Sequence, residues 1–342
     1  VSQPDARTVV DLLLPWFRRN ARDLPWRRDP TPWSVWLSEV MLQQTRVETV
    51  KAYHAAFLAA WPTVDAFAAA DEQEVLRAWS GLGYYSRARN LLLAARAAVA
   101  AGGLPSTVEG WRALPGVGPY TAGAVASIAF RVRAPLVDGN VERVVSRFDL
   151  RREDPRKEGK TALWARVAAM HEALRDDEHP GDLNQALMEL GATVCAPKSP
   201  RCLACPLVGV CAGRSEAASL PTKAPKKPPT EVRLEARLVR SPAGTWLVRR
   251  PETGLFAGLW EPPMRPAAPG AHGSSLVHVL THRRLVVYPR WEERADAAPM
   301  GVAEGYVEGR WVADPEEVPL STLARRLLEW PDGPTPGAPG VR

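Results

Sequence analysis

Apolar residues recur at helical spacing through the first 215 positions. Val9, Val10, Leu13 and Leu14, then Phe17, form one stripe, and Val75, Leu76 and Trp79 form another. Short breaks separate the runs at Leu24-Pro25, Trp61-Pro62-Thr63, Gly81-Leu82-Gly83 and Gly102-Gly103. The pattern predicts an all-helical domain over residues 1–213. Residues 214–230 read as a linker, because Pro221 to Pro229 is polar, Pro- and Lys-rich, hence extended and semi-rigid. Beyond it the period changes. Val232, Leu234, Ala236 and Leu238 alternate with Glu and Arg, and Ser241-Pro242-Ala243-Gly244 turns the chain into Trp246-Leu247-Val248. A smaller, strand-containing domain is therefore expected over 231–331, and the Pro/Gly-rich 332–342 reads as a disordered tail. No internal repeat is visible.

Composition changes this picture little. The 342 residues suffice for two domains with sizeable cores, and 46% apolar with 24% charged residues is ordinary for a soluble globular chain. No uncharged apolar run approaches a membrane span, and VSQPDART lacks a signal pattern, so a cytoplasmic, reducing location is expected. The net charge of +6 is unevenly placed. Residues 1–230 hold 30 Lys and Arg against 24 Asp and Glu, whereas 231–342 hold 14 of each. A basic first part suits a polyanionic partner. Abundant Arg, Ala and Pro with scarce Lys also fits GC-rich coding, so charge alone is weak evidence for nucleic acid.

All four cysteines, Cys195, Cys202, Cys205 and Cys211, fall within seventeen positions, spaced C-x6-C-x2-C-x5-C. Four thiolates converging from a loop-rich stretch are how cubane iron–sulfur clusters are held. A structural zinc site also accepts four thiolates, although zinc ribbons pair two short knuckles and the first gap here is six residues. Two disulfides are the third reading, and nothing else in the chain looks secreted.

Two further features carry chemistry. Leu114 to Gly123 breaks one helix at Pro115 and restarts another near Pro119. Gly116 and Gly118 let the backbone turn tightly and present N–H groups at a helix N-terminus, which suits a DNA phosphate. The plain alternative is an interhelical turn. The second feature is a pair of carboxylates. Glu39, on a helix, would have Val35, Trp36, Leu42 and Gln43 as neighbours, and burial of that kind raises a carboxyl pKa toward general-acid service. Asp138 stands between an apolar run and Gly139-Asn140-Val141, where its plain role is a helix N-cap.

Buried Glu, Gly-rich hairpin, Asp and Cys cluster occur in an order that resembles the helix-hairpin-helix DNA glycosylases of the endonuclease III superfamily. Within it the chain resembles the MutY family, through Leu24 to Arg27, Trp36 to Thr45, Gly81 to Leu91, Val137 to Val141 and Leu187 to Ala192. The likeness is strong over residues 5–215 and weaker over 231–330. It implies a helix-hairpin-helix glycosylase domain with a [4Fe–4S] cluster on the four cysteines. Thr253 to Pro263 resembles that family's C-terminal domain, a Nudix-like α+β fold that reads 8-oxoguanine. The Nudix hydrolase box is absent, and the short stretch between Pro263 and His278 is expected to lack a helix.

The resemblance also implies roles. Glu39 protonates the base, Asp138 stabilises the oxocarbenium ion, and Tyr120 stands where lyases of the superfamily carry Lys, which implies monofunctional excision. Trp26, Arg27 and Leu42 become pocket walls, Gln44 and Tyr84 fill the vacated base stack, and Thr45, Gly116, Gly118, Asn140, Lys198 and Arg201 join the DNA-facing set. Leu280-Thr281-His282 stands where the family has Phe-Ser-His, so a hydrogen-bonding hydroxyl is kept and aromatic stacking is lost. The implied partner of a monomeric protein is duplex DNA carrying 8-oxoguanine·adenine or guanine·adenine mispairs. A thymine- or uracil-mismatch glycosylase, an endonuclease III-like lyase and a non-enzymatic DNA scanner remain alternatives.

Overall fold

The computed structural model describes residues 4–222, 228–268, 270 and 273–331. The expected tail at 332–342 lies outside the described residues. Contacts divide the chain into two units, Val1–Ala69 with Asn90–Pro225, and Ala70–Arg89 with Lys226–Arg342. Among the described residues no helix is long and apolar enough to cross a membrane.

The helices, in order, are α1 (Ala6–Asn20), α2 (Pro25–Arg28), α3 (Pro32–Leu42), α4 (Val47–Ala60), α5 (Val64–Ala68), α6 (Glu72–Ala78), α7 (Ser86–Ala100), α8 (Val108–Ala113), α9 (Pro119–Phe130), α10 (Gly139–Phe148), α11 (Lys160–Glu172) and α12 (Pro180–Thr193). The stripe read from α1 is buried as expected, with Val9, Val10, Leu13, Leu14 and Phe17 all inside. Asp5 starts that helix by accepting from the Thr8 amide, and Arg18 and Arg19 suit its C-terminal end. Helix α3 is different. Thr31 caps it, Pro32 opens it, and residues 33–41 are buried on every side, as in a central core helix. Trp33 and Trp36 stack edge-on at 5.9 Å, and Trp36 meets Trp111 of α8 at 5.1 Å. Helices α3 and α9 pack together, and α12 packs against α1, α9 and α10. Gly191 makes the last approach possible, since a Cβ there would lie 2.6 Å from the Asn140 Cβ.

The second unit is built on one mixed sheet. Its strands are β1 (Thr230–Ser241), β2 (Gly244–Arg249), β3 (Trp260–Glu261), β4 (Met264–Pro266), β5 (Leu276–Val279), β6 (Arg283–Glu293) and β7 (Glu308–Val312). The order is β3-β2-β1-β6-β5, with β4 on β1 and β7 on β2. Strands β1 and β6 run parallel, and the remaining pairs are antiparallel. The predicted turn at Ser241–Gly244 does join β1 to β2, pairing Arg240 with Thr245. Helix α13 (Thr322–Leu328) lays Leu323 and Leu327 on Ala236, Leu238, Leu276, Leu285 and Val287. Among the described residues between Pro263 and His278 there is no helix.

Two details qualify the chain-order boundaries. Residues 214–220, counted with the linker, are folded: Ala217 and Leu220 are buried, and the Leu220 carbonyl accepts from Arg147 Nε at 2.8 Å. Residues 70–89 belong by contact to the second unit. There the Tyr85 hydroxyl donates to the Leu320 carbonyl at 2.7 Å, and Arg89 pairs with Glu252 at 2.6 Å.

Candidate active site

Glu39 is 5% exposed on a helix with no wet face. Burial pushes its carboxyl from the ordinary 4.5 up to about 7, against the hydroxyl of Tyr120, which donates to Oε2 at 2.5 Å. The charge of Asp138 raises it further and that of Arg27 lowers it. Near neutral pH such a carboxyl exists in both forms, which is the condition for a general acid that later serves as base. Tyr120 is half-buried, and its own pKa is raised well above 10 by desolvation and by the two carboxylates, so it stays a donor. The hairpin positions it. Val117 N–H closes on the Leu114 carbonyl at 3.2 Å, Gly116 takes φ +71°, and Pro119 opens α9. No side chain caps that helix start.

Asp138 does cap α10. Its Oδ1 accepts from the amides of Asn140 at 2.9 Å and Val141 at 2.7 Å, and its Oδ2 accepts from Asn140 Nδ2 at 2.7 Å. Burial raises its pKa, partly opposed by these bonds. The cap fixes the carboxylate beside Glu39, so the plain role and the chemical one use the same geometry. Asn140 in turn accepts from Arg143 Nη2 at 2.9 Å, while Arg143 Nε donates to the Cys195 carbonyl at 2.7 Å.

The wall residues Trp26 and Arg27 sit on α2. Trp26 is buried edge-on to His54 with ring centroids 5.3 Å apart. Arg27 Nε donates to Gln185 Oε1 at 2.9 Å and Nη2 to Glu189 Oε2 at 3.0 Å. Leu42, at the end of α3, is half-buried. Three residues of α12 thus join the site: Gln185, outside every motif read from the sequence, and Glu189 and Met188, inside the family-like segment Leu187 to Ala192 but given no role there; the Met188 sulfur lies 3.6 Å from the Tyr120 hydroxyl. Two polar residues four apart, Gln185 and Glu189, on one face of a largely apolar helix were the available signal.

Gln44 and Tyr84 share an unusual feature. Both are exposed non-glycine residues in the left-handed region, at φ 61° and 47°, a conformation that side chains adopt at a cost and often at functional sites. Thr45 follows with its amide on the Leu42 carbonyl at 3.3 Å. Within the second unit the Tyr84 hydroxyl lies 3.1 Å from Thr281 Oγ1. Thr281 and His282 are exposed in the turn between β5 and β6, whereas Leu280 packs against the core under α13. Lys198 is exposed, and Arg201 donates to the Thr193 carbonyl at the end of α12.

The four cysteines carry free thiols and line one cavity of about 30 Å³ together with Arg147. Among the described residues no three His, Cys, Asp or Glu stand close enough to share one metal ion. Arg147, 2% exposed, donates to Cys195 Sγ at 3.4 Å and to the carbonyls of Ala196 and Pro197 at 2.7 and 2.8 Å. Burial and the neighbouring thiols push Cys205 up to about 11. Four thiols around one cavity are a donor set for a soft metal centre, whose charge would lower the thiol pKa.

Residues 37–169 match the model of the HhH-GPD superfamily base excision DNA repair proteins. The adenine DNA glycosylase of Rattus norvegicus is 38% identical over 354 residues, covering 80% of this chain and 68% of that protein. The chain belongs to the adenine DNA glycosylase family. The relative from Homo sapiens is 38% identical over 309 residues, and the match covers 73% of this chain but only 56% of that longer protein. A thermostable thymine-DNA glycosylase has the same helical fold, with a TM-score of 0.54 and 27% identity over 62% of this chain and 97% of its own.

Glu39 has a consequence for stability. A carboxyl whose folded pKa lies above its unfolded 4.5 contributes fully below about pH 4.5 and loses that contribution as pH rises through about 7. Glu39→Gln should therefore melt higher than wild type at pH 8 and close to it at pH 4.5. A wild type that gains on the variant with rising pH would show that ionised Glu39 is favoured instead. For the thiols, Cys202→Ser should lose both brown colour and bound iron, with about four irons per chain in wild type by elemental analysis. One equivalent of zinc in a colourless protein would reverse that assignment.

Proposed function

We propose that the chain is a monofunctional adenine DNA glycosylase that hydrolyses the N-glycosidic bond of adenine opposite 8-oxoguanine or guanine in duplex DNA. The observation that carries the reading is the buried Glu39, protonatable near neutral pH, with Tyr120 rather than an amine hydrogen-bonded to it. The family's curated names supply adenine as the base.

The glycosidic bond is out of reach inside the duplex, so the base must leave the stack. Gln44, presented by a tight left-handed turn, fills the gap, and Trp26, Arg27 and Leu42 border the receiving pocket. Glu39 delivers a proton to N7 of adenine, which makes the base a better leaving group. As the bond to the sugar breaks, the electron pair departs with adenine and positive charge develops at C1′. Ionised Asp138, held by two backbone amides, stabilises that charge. Water then adds to C1′, and the now ionised Glu39 takes its proton. Tyr120 cannot form a Schiff base, so the backbone of the DNA stays intact. Thr281, in its exposed turn, offers a hydroxyl to the base opposite. The cysteines Cys195, Cys202, Cys205 and Cys211 would hold a [4Fe–4S] cluster, which supplies a structural cross-link for the loop carrying Lys198.

Duplexes carrying 8-oxoguanine·A, G·A, G·T or thymine glycol, incubated with and without alkali, test the assignment. Adenine loss and alkali-dependent breakage are expected, and release of thymine or alkali-independent nicking would overturn it. Glu39→Gln should bind mispaired DNA nearly as well as wild type but excise adenine roughly 10²–10⁴-fold more slowly. Asp138→Asn should behave alike, since Asn caps a helix about as well as Asp. Tyr120→Lys should gain borohydride-trappable lyase activity that wild type lacks.

A further inference from the structure

We propose that Glu189 is a positioning residue: a buried countercharge that pins Arg27 at the pocket wall and shields Glu39 from the guanidinium. The proposal rests on the reading of Glu39 as the general acid. Glu189 is 1% exposed on α12, yet it is ionised, its pKa held below the ordinary value by Arg22 and Arg27 against burial. Its Oε1 accepts from Arg22 Nε at 2.7 Å and its Oε2 from Arg22 Nη2 and Arg27 Nη2, each at 3.0 Å. The two arginines are unequal. The Arg22 side chain is 40% exposed, so water screens its charge, whereas the Arg27 side chain is 15% exposed. The buried charge is therefore close to a neutral Glu189–Arg27 pair.

Arg27 is held at every nitrogen. Nε donates to Gln185, Nη1 to the Arg22 carbonyl at 3.0 Å and Nη2 to Glu189, and the guanidinium lies 5.3 Å from the Phe17 ring. Three charged or titratable groups act on Glu39: Tyr120 from α9, Asp138 from the start of α10, and Arg27 from α2. Of these only Arg27 favours the ionised form by its charge, which would disarm the acid. A carboxylate on the same guanidinium offsets that effect while leaving Arg27 at the wall. An ion pair that merely ties α2 to α12 would not touch the protonation of Glu39.

The test is the pH dependence of single-turnover adenine excision from an 8-oxoguanine·A duplex. Glu189→Gln keeps shape and an acceptor but removes the charge. Its basic limb should move to lower pH by roughly 0.5–1 unit, because Glu39 then meets an uncompensated cation. Arg27→Gln, which leaves the carboxylate without its buried cation, should move the limb to higher pH, and the double variant, which removes both charges of the pair, should return it close to wild type. An unshifted limb in Glu189→Gln, or a double variant whose limb stays as low as that of Glu189→Gln, overturns the proposal. Should Glu189→Gln not fold, the comparison of Arg27→Gln with the double variant decides, because the double variant holds no unpaired buried charge: a higher limb in Arg27→Gln supports the role and coincident limbs end it. A wild type that releases no adenine would instead overturn the functional reading itself.

Discussion

The site depends on burying one carboxyl. Helix α3 has no solvent face, so Glu39 cannot shed its proton into water as cheaply as an exposed Glu does, and its pKa climbs to about 7. The rest of the unit accommodates that cost. Tyr120 donates to the carboxyl, the N-cap at α10 fixes the opposing Asp138, and the Arg27–Glu189 pair places a cation nearby without leaving its charge unmatched. Each partner comes from a different helix: α2 and α9 pack on α3, and α12 joins α9 to α10, so helix packing is what brings these groups together.

Much of this was legible from residues alone. The stripe on α1, the switch to strands near residue 230 and the convergence of four thiols follow from periodicity and spacing. Burial of Glu39 followed from its helical neighbours. For Asp138 the sequence offered capping and catalysis as rivals, and the structure shows the cap, which holds the carboxylate where its charge acts on Glu39. What could not be read was pairing across long separations. Tyr120 and Glu39 are 81 positions apart, and Arg27 and Glu189 are 162 apart. No local period links such residues, so Gln185 looked like an ordinary member of a helix, and the family-like segment holding Met188 and Glu189 carried no sign of their partners.

The same limit explains two boundaries. Residues 214–220 sit next to a Pro- and Lys-rich stretch and read as linker, yet Ala217 and Leu220 are buried. Composition averaged over a window hides two apolar anchors. Residues 70–89 continue a helical pattern, and only their contacts with Leu320 and Glu252 assign them to the unit that carries the sheet. Leu280 is a related case: an apolar residue in a turn can point outward or inward, and it packs on the core under α13.

The central claim is the proton on Glu39, and it can be observed without DNA. Glutamate labelled at its carboxyl carbon and followed by NMR across pH 4 to 9 should show two carboxyls titrating near 7. One belongs to Glu39. The other belongs to Glu261, 1% exposed and likewise pushed up to about 7 by burial despite Arg250 and Tyr306. The Glu39→Gln protein should lose one of the two and keep the other. If the resonance lost on that substitution titrates below about 5, in the range of an exposed Glu, Glu39 is no acid at neutral pH and the account of the site fails.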